Sequence, residues 1–141
     1  NLIAKYADWV HSIDRQKVAK KLNDALNIQR KKIHVLIQVN INLEESKSGI
    51  HPNDAIDLAK DISTNYKNLT LEGLMFMPKI NASKKVKMET MRNISNLQAA
   101  LIKELPNCKN ISLGTSADFE EAIFAGSTMI RIGESLLGPR A

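Results

Sequence analysis

The stretch Ile33-His34-Val35-Leu36-Ile37-Gln38-Val39-Asn40-Ile41 is rich in β-branched residues and almost continuously apolar as far as Gln38. A strand covered on both faces of a parallel sheet reads this way, because neither face can be given over to polar side chains. Upstream, Asp8 to Ile13 reads as a shorter strand. Asp14 then stands where it can cap a helix on which Val18, Leu22 and Leu26 recur at helical spacing. Downstream, His51-Pro52-Asn53-Asp54 opens a helix continued by Ala55, Leu58, Ala59 and Ile62, with Pro52 at the first helical position, where its missing N–H does no harm. Leu69 to Met77 is a third strand, stopped by Pro78, and Ser83 to Glu104 carries Val86, Met91, Ile94, Leu97 and Leu101 at helical intervals. A strand over Lys109 to Leu113, a Gly114-Thr115-Ser116 turn, a short helix over Asp118 to Ala125 and a strand over Ser127 to Ile132 complete the pattern. Strands alternating with helices predict right-handed βαβ units and a parallel sheet, as a barrel or as an open doubly wound fold.

Composition agrees with one domain. The 141 residues are 43% hydrophobic and 25% charged, a globular profile that excludes disordered and collagen-like chains. No apolar run approaches the ~20 residues of a membrane helix, so no membrane association is expected. The first residue, Asn1, is not Met and no signal-peptide pattern follows, so an N-terminal truncation is expected. The single cysteine, Cys108, has no second thiol to pair with, which fits a reducing, cytoplasmic compartment and a small residue filling a core gap. A net charge of +5 permits nucleic-acid binding, but the lysines, such as Lys17, Lys20, Lys21 and Lys84, Lys85, Lys87, are scattered over amphipathic stretches. With 4% aromatic residues there is no stacking platform among them, and no nucleic-acid partner is expected.

Ligands of parallel α/β folds bind beyond the carboxyl ends of the strands. At the fourth of these ends, Gly114-Thr115-Ser116 precedes a helix whose first turn has free N–H groups, and Ser116 adds a hydroxyl donor for an anion such as phosphate. At the fifth, Gly133 would let backbone amides approach a phosphate with no Cβ in the way. A Ser116 that caps its helix and a Gly133 that only turns the chain account for the same residues. Asp118, Glu120 and Glu121 suit either case, although they would weaken an anion site. Arg131, two residues before Gly133, shares its strand face and can point at a ligand or sit in a structural ion pair. His11, His34 and His51 lack metal-ligand spacing, so no metal is expected. His11, Ser12 and Asp14 are too nearly contiguous for a catalytic triad.

At these same strand ends the sequence resembles the pyridoxal phosphate homeostasis proteins, small relatives of the alanine racemase barrel. The matching segments are H-S-I-D-R at His11 to Arg15, V-L-I-Q-V-N at Val35 to Asn40, S-K-S-G-I at Ser46 to Ile50 and G-L-M-F-M-P at Gly73 to Pro78. They continue with I-S-L-G-T-S-A-D-F at Ile111 to Phe119 and G-S-T-M-I-R-I-G at Gly126 to Gly133.

The resemblance implies a (β/α)8 TIM barrel of the alanine racemase N-terminal-domain type, of which this chain, residues 1–141, is the C-terminal part carrying strands four to eight. It implies pyridoxal 5'-phosphate (PLP) at the barrel mouth. The phosphate would be held by Ser116 and the amides of Gly133 and Glu134, Arg131 would face the pyridine nitrogen, and Met77 would pack near the ring. It further implies a non-catalytic carrier or regulator in vitamin B6 homeostasis, with PLP-dependent apoenzymes as recipients. The alternative is a racemase-like enzyme, which needs a second acid–base group. Tyr6 and Tyr66 fall in helical segments away from the strand ends. Two departures stand out. Glu134 occupies a position where the family usually carries Thr or Ser, and the family's Schiff-base lysine, in the first barrel strand, lies outside this chain.

Overall fold

A computed structural model describes residues 2–138. It contains β1 (Trp9–Ile13), β2 (Ile33–Val39), β3 (Leu69–Phe76), β4 (Asn110–Thr115) and β5 (Met129–Arg131), all parallel and hydrogen-bonded in the order β1-β2-β3-β4-β5. A doubly wound sheet reverses its strand order at a switch point. This one runs in sequence order throughout and forms part of a barrel wall.

The helices are α1 (Leu2–Tyr6), α2 (Gln16–Gln29), α3 (Ala55–Asn65), α4 (Lys84–Glu104), α5 (Phe119–Phe124) and α6 (Glu134–Leu137), with a 3-10 turn over Pro52–Asp54 leading into α3. Ile33, Val35, Ile37 and Val39 alternate along β2 toward the helices and join Leu71, Leu74, Phe76, Ile111 and Leu113 from its neighbours. Against them lie Leu26, the Ala55-Leu58-Ala59-Ile62 stripe of α3, and Ile94 and Leu101 of α4. The phase of β3 slips between Leu71 and Leu74. There the register jumps from Val35 opposite Leu71 to Leu36 opposite Gly73, and this bulge keeps both leucines on the helix side.

Several boundaries differ from the sequence reading, each for a local reason. β2 stops at Val39 instead of Ile41 because the Asn40 side chain binds the backbone N–H and carbonyl of Glu44 and builds the following loop. β3 ends at Phe76, and the carbonyls of Met77 and Pro78 accept from Lys47 Nζ, both at 3.1 Å. β5 is only three residues long. Thr128 N–H still donates to the Ile111 carbonyl at 2.9 Å, but Ser127 Oγ donates to the Leu113 carbonyl at 2.7 Å and Thr128 Oγ1 accepts from Ile111 N–H at 2.9 Å, so side chains share the start of the ladder with the backbone. Asp14 does not cap α2. The N-cap is Arg15, without a side-chain cap, and the Asp14 carboxylate instead accepts from Arg15 Nε at 2.9 Å. Ser83 does cap α4, accepting from Val86 N–H at 3.3 Å. Cys108 is buried, its thiol 3.3 Å from the Leu71 carbonyl.

Candidate functional site at the strand mouth

The face of the sheet turned away from the helices carries the buried apolar Leu36 and Met75 and, around them, a set of polar side chains. Near the amino ends of the strands, Trp9 stacks on His34 with ring centroids 4.6 Å apart, and His34 Nδ1 lies 2.7 Å from Glu72 Oε1. Asn110 Nδ2 donates to the other Glu72 oxygen at 3.4 Å. Closer to the carboxyl ends, Arg131 of β5 donates from Nη1 to Ser112 Oγ at 2.7 Å and from Nη2 to the Phe76 carbonyl at 2.9 Å. His11 Nδ1 of β1 lies 3.0 Å from the same Ser112 oxygen. Three strands therefore meet at one fully buried hydroxyl. Side chains pointing into small barrels are usually bulky and apolar, so hydrogen-bonded polar groups here mark a lining rather than a filler.

Electrostatics follow from this packing. Burial, and then the charge of Arg131, hold the His11 pKa below its ordinary value, which leaves the imidazole neutral at pH 7. Burial also lowers the Arg131 pKa while Asp118 acts against it, and the guanidinium remains a cation. Among the described residues Arg131 makes no ion pair. Its two hydrogen-bond acceptors among the described residues, a hydroxyl and a carbonyl, are neutral.

Ser116 does not cap the helix that follows it. Its oxygen accepts from Ser135 N–H of α6 at 3.1 Å, so the turn after β4 meets the turn after β5. Asp118, at the N-cap position of α5, turns its carboxylate back onto Thr115, accepting from the backbone N–H at 2.7 Å and from the hydroxyl at 3.0 Å. Those bonds turn the carboxylate toward Thr115, while its negative charge persists and still acts on Arg131. A Cβ built on Gly133 meets nothing within 4 Å. Glu134 is exposed in the first turn of α6, where the leading amides have no partner inside the helix. Met77 is 48% exposed just beyond β3. Ser116, Gly133 and Glu134 thus cluster, with Arg131 two residues before Gly133 and Met77 next to the Phe76 carbonyl that Arg131 grips. The sequence reading weighed His11 only as a metal ligand or triad member and did not single out Ser112, and only the pairing of distant strands brings the two together.

A sequence profile of the alanine racemase N-terminal domain matches residues 1–141. The chain belongs to that family. Within it, the chain is 41% identical over 139 residues to the pyridoxal phosphate homeostasis protein of Vibrio alginolyticus, covering 99% of this chain and 59% of the relative. It is 40% identical over 139 residues to the protein of the same name from Escherichia coli K12, with the same coverage of 99% and 59%. The chain thus spans about three-fifths of the length of these curated relatives. The solved structure of PipY from Synechococcus elongatus with PLP bound superimposes with a TM-score of 0.85 at 23% identity, over 96% of this chain and 63% of that one. At that identity the likeness shows the shared fold, the barrel type of the family's N-terminal domain. No helix among the described residues is long and apolar enough to cross a membrane.

Proposed function

We propose that this chain is the C-terminal part of a PLP-binding (β/α)8 barrel, strands four to eight, and that the whole protein holds PLP for vitamin B6 homeostasis in the cytoplasm without catalysing a reaction of its own. The observation that carries the reading is the junction of two turns. Ser116 Oγ and Ser135 N–H lie 3.1 Å apart, next to an open Gly133 and just beyond Arg131. The donor set fits the cofactor. A hydroxyl and the leading amides of α6 suit a phosphate, and two of the five guanidinium N–H groups of Arg131 are used in placing it, which leaves others for a ring nitrogen. Bound there, PLP supplies an aldehyde that condenses with amines and a ring that withdraws electrons.

The residues of the chain divide that work. Ser116, with the N–H groups of Gly133 and Glu134, would bind the phosphate. Arg131 would donate to the pyridine nitrogen and, being a cation, keep a proton off it, so that the ring is a poor electron sink. Met77 would cover one ring face with a soft apolar side chain. The two tyrosines favour no racemase reading: Tyr6 ends α1 with 68% exposure and Tyr66 is buried just after α3, and neither stands at the carboxyl rim. PLP-dependent apoenzymes would be the recipients.

The test uses the complete protein. After dialysis, wild type should retain one PLP per chain by absorbance, and Arg131→Gln should retain less and show a shifted band. Retention and spectrum identical in both would remove Arg131 from the site.

A further inference from the structure

The hydrogen bonds around Ser112 have only one consistent direction. A guanidinium donates and never accepts, so the 2.7 Å contact from Arg131 Nη1 occupies a lone pair of Ser112 Oγ. The hydroxyl proton must then go elsewhere. Ser112 is fully buried, out of reach of bulk water, and His11 Nδ1 at 3.0 Å stands ready to accept that proton's hydrogen bond. An unprotonated Nδ1 fills the role, with the ring hydrogen on Nε2. The opposite arrangement, with Nδ1–H donating, would leave a buried hydroxyl hydrogen without a partner. Trp9 meets the His11 ring edge to face, with centroids 6.0 Å apart, and so helps fix its plane.

We infer that His11 is a positioning residue for Arg131: by accepting from the Ser112 hydroxyl it aims the Ser112 lone pair at the guanidinium, and so sets where Arg131 stands at the strand mouth. Donation toward His11 also polarises the Ser112 oxygen and makes it a better acceptor for Arg131. Burial and the neighbouring cation keep the ring neutral, as the arrangement requires. The consequence for a cofactor rests on the PLP reading above, while the hydrogen-bond direction does not.

Two measurements on the complete protein separate these. In 15N-histidine NMR of the cofactor-free protein, His11 should be the Nε2–H tautomer, and Ser112→Ala should shift its Nδ1 resonance. A protonated Nδ1 in wild type would overturn the inference whatever the cofactor does. For the loaded protein, His11→Phe removes the acceptor and should weaken PLP retention about fivefold and move its absorbance band. His11→Asn, whose Oδ1 can stand near the place of Nδ1, should restore both. In a Ser112→Ala background, His11→Phe should have no further effect on retention or spectrum. Equal retention and spectra in wild type and His11→Phe, or full additivity with Ser112→Ala, would refute a role through Ser112. Failure of the wild type to hold PLP would refute the function proposed above and leave the NMR result to decide the position of His11.

Discussion

Gly73 on β3 stands so close to Asn110 on β4 that a Cβ added to it would overlap the Asn110 carbonyl oxygen, and its φ of +149° is one that side-chain-bearing residues rarely adopt. Steric overlap and backbone strain act together at the bulge. Gly73→Ala should therefore cost at least about 2 kcal/mol. Urea unfolding of the complete protein measures this, and a stability within 0.5 kcal/mol of wild type, roughly the range of a neutral surface change, would contradict the close packing of β3 on β4.

Burial, and secondarily the charge of Glu72, push the Cys108 thiol up to about 11. At pH 8 a thiol of that pKa is ionised to about one part in a thousand, and only the thiolate reacts. The folded protein should resist iodoacetamide for hours, while the urea-unfolded protein reacts within minutes. Mass spectrometry distinguishes the two. Modification of native Cys108 at the rate of a free thiol would contradict its burial.

Below its ordinary pKa of 6.5, His11 in the unfolded chain takes up a proton that the folded state refuses, because its folded pKa is depressed. The unfolded state then binds more protons, so stability falls as pH drops through 6.5 and continues to fall down to the folded pKa. Wild type should lose stability between pH 7.5 and 5 more steeply than His11→Asn. Parallel slopes for the two proteins would dismiss His11 as the source.

Substitutions at the two turns should separate in kind. Gly133→Val adds a side chain where a Cβ meets nothing, so thermal stability should be unchanged while PLP retention falls. Ser116→Ala removes the acceptor for Ser135 N–H together with the proposed phosphate donor, and a charge-assisted bond of about 1.5–3 kcal/mol should be lost from cofactor binding. Dialysis followed by absorbance, alongside thermal melts, reads both. Undiminished retention in both variants would refute the phosphate assignment.

Among the described residues, β1 and β5 each leave an outer edge unpaired, flanked by exposed Leu2, Ile3 and Tyr6 on one side and Phe124, Leu136 and Leu137 on the other. Such edges template association. Sedimentation of the 141-residue chain alone should find oligomers or aggregate, and borohydride should trap PLP at no single lysine. A soluble monomer with one trapped lysine would reverse this expectation and direct attention to Lys47, which binds the Met77 and Pro78 carbonyls.

What could be read from the sequence was what is written locally. The apolar run of β2 and the Ala55-Leu58-Ala59-Ile62 stripe of α3 each announce an element by their own periodicity. The helical segment expected around Tyr6 is α1, whereas α6, with four residues, is too short to show a helical period. The start of β5 reads as strand, yet the hydroxyls of Ser127 and Thr128 take over part of the hydrogen bonding there. Barrel against open sheet is a matter of strand order, which periodicity does not encode. At the site, Ser116, Arg131 and Gly133 stood out because turns and a charge inside an apolar strand are local signals. Met77 and Glu134 came from the family resemblance alone. His11 and Ser112 lie 101 positions apart, and no local pattern links them.

Arg131 also fastens the shortest strand to the rest of the wall, through the Ser112 hydroxyl on β4 and the Phe76 carbonyl on β3. One side chain thus serves as both the proposed ligand contact and a clasp for β5, so replacing it would loosen the scaffold while altering recognition. Variation in how strongly a ligand ring would be gripped is consequently freer at His11, which stands outside the clasp, than at either of its members. Evolution or design seeking a tighter grip or a readier release would find room at His11, and anchored residues at Ser112 and Arg131.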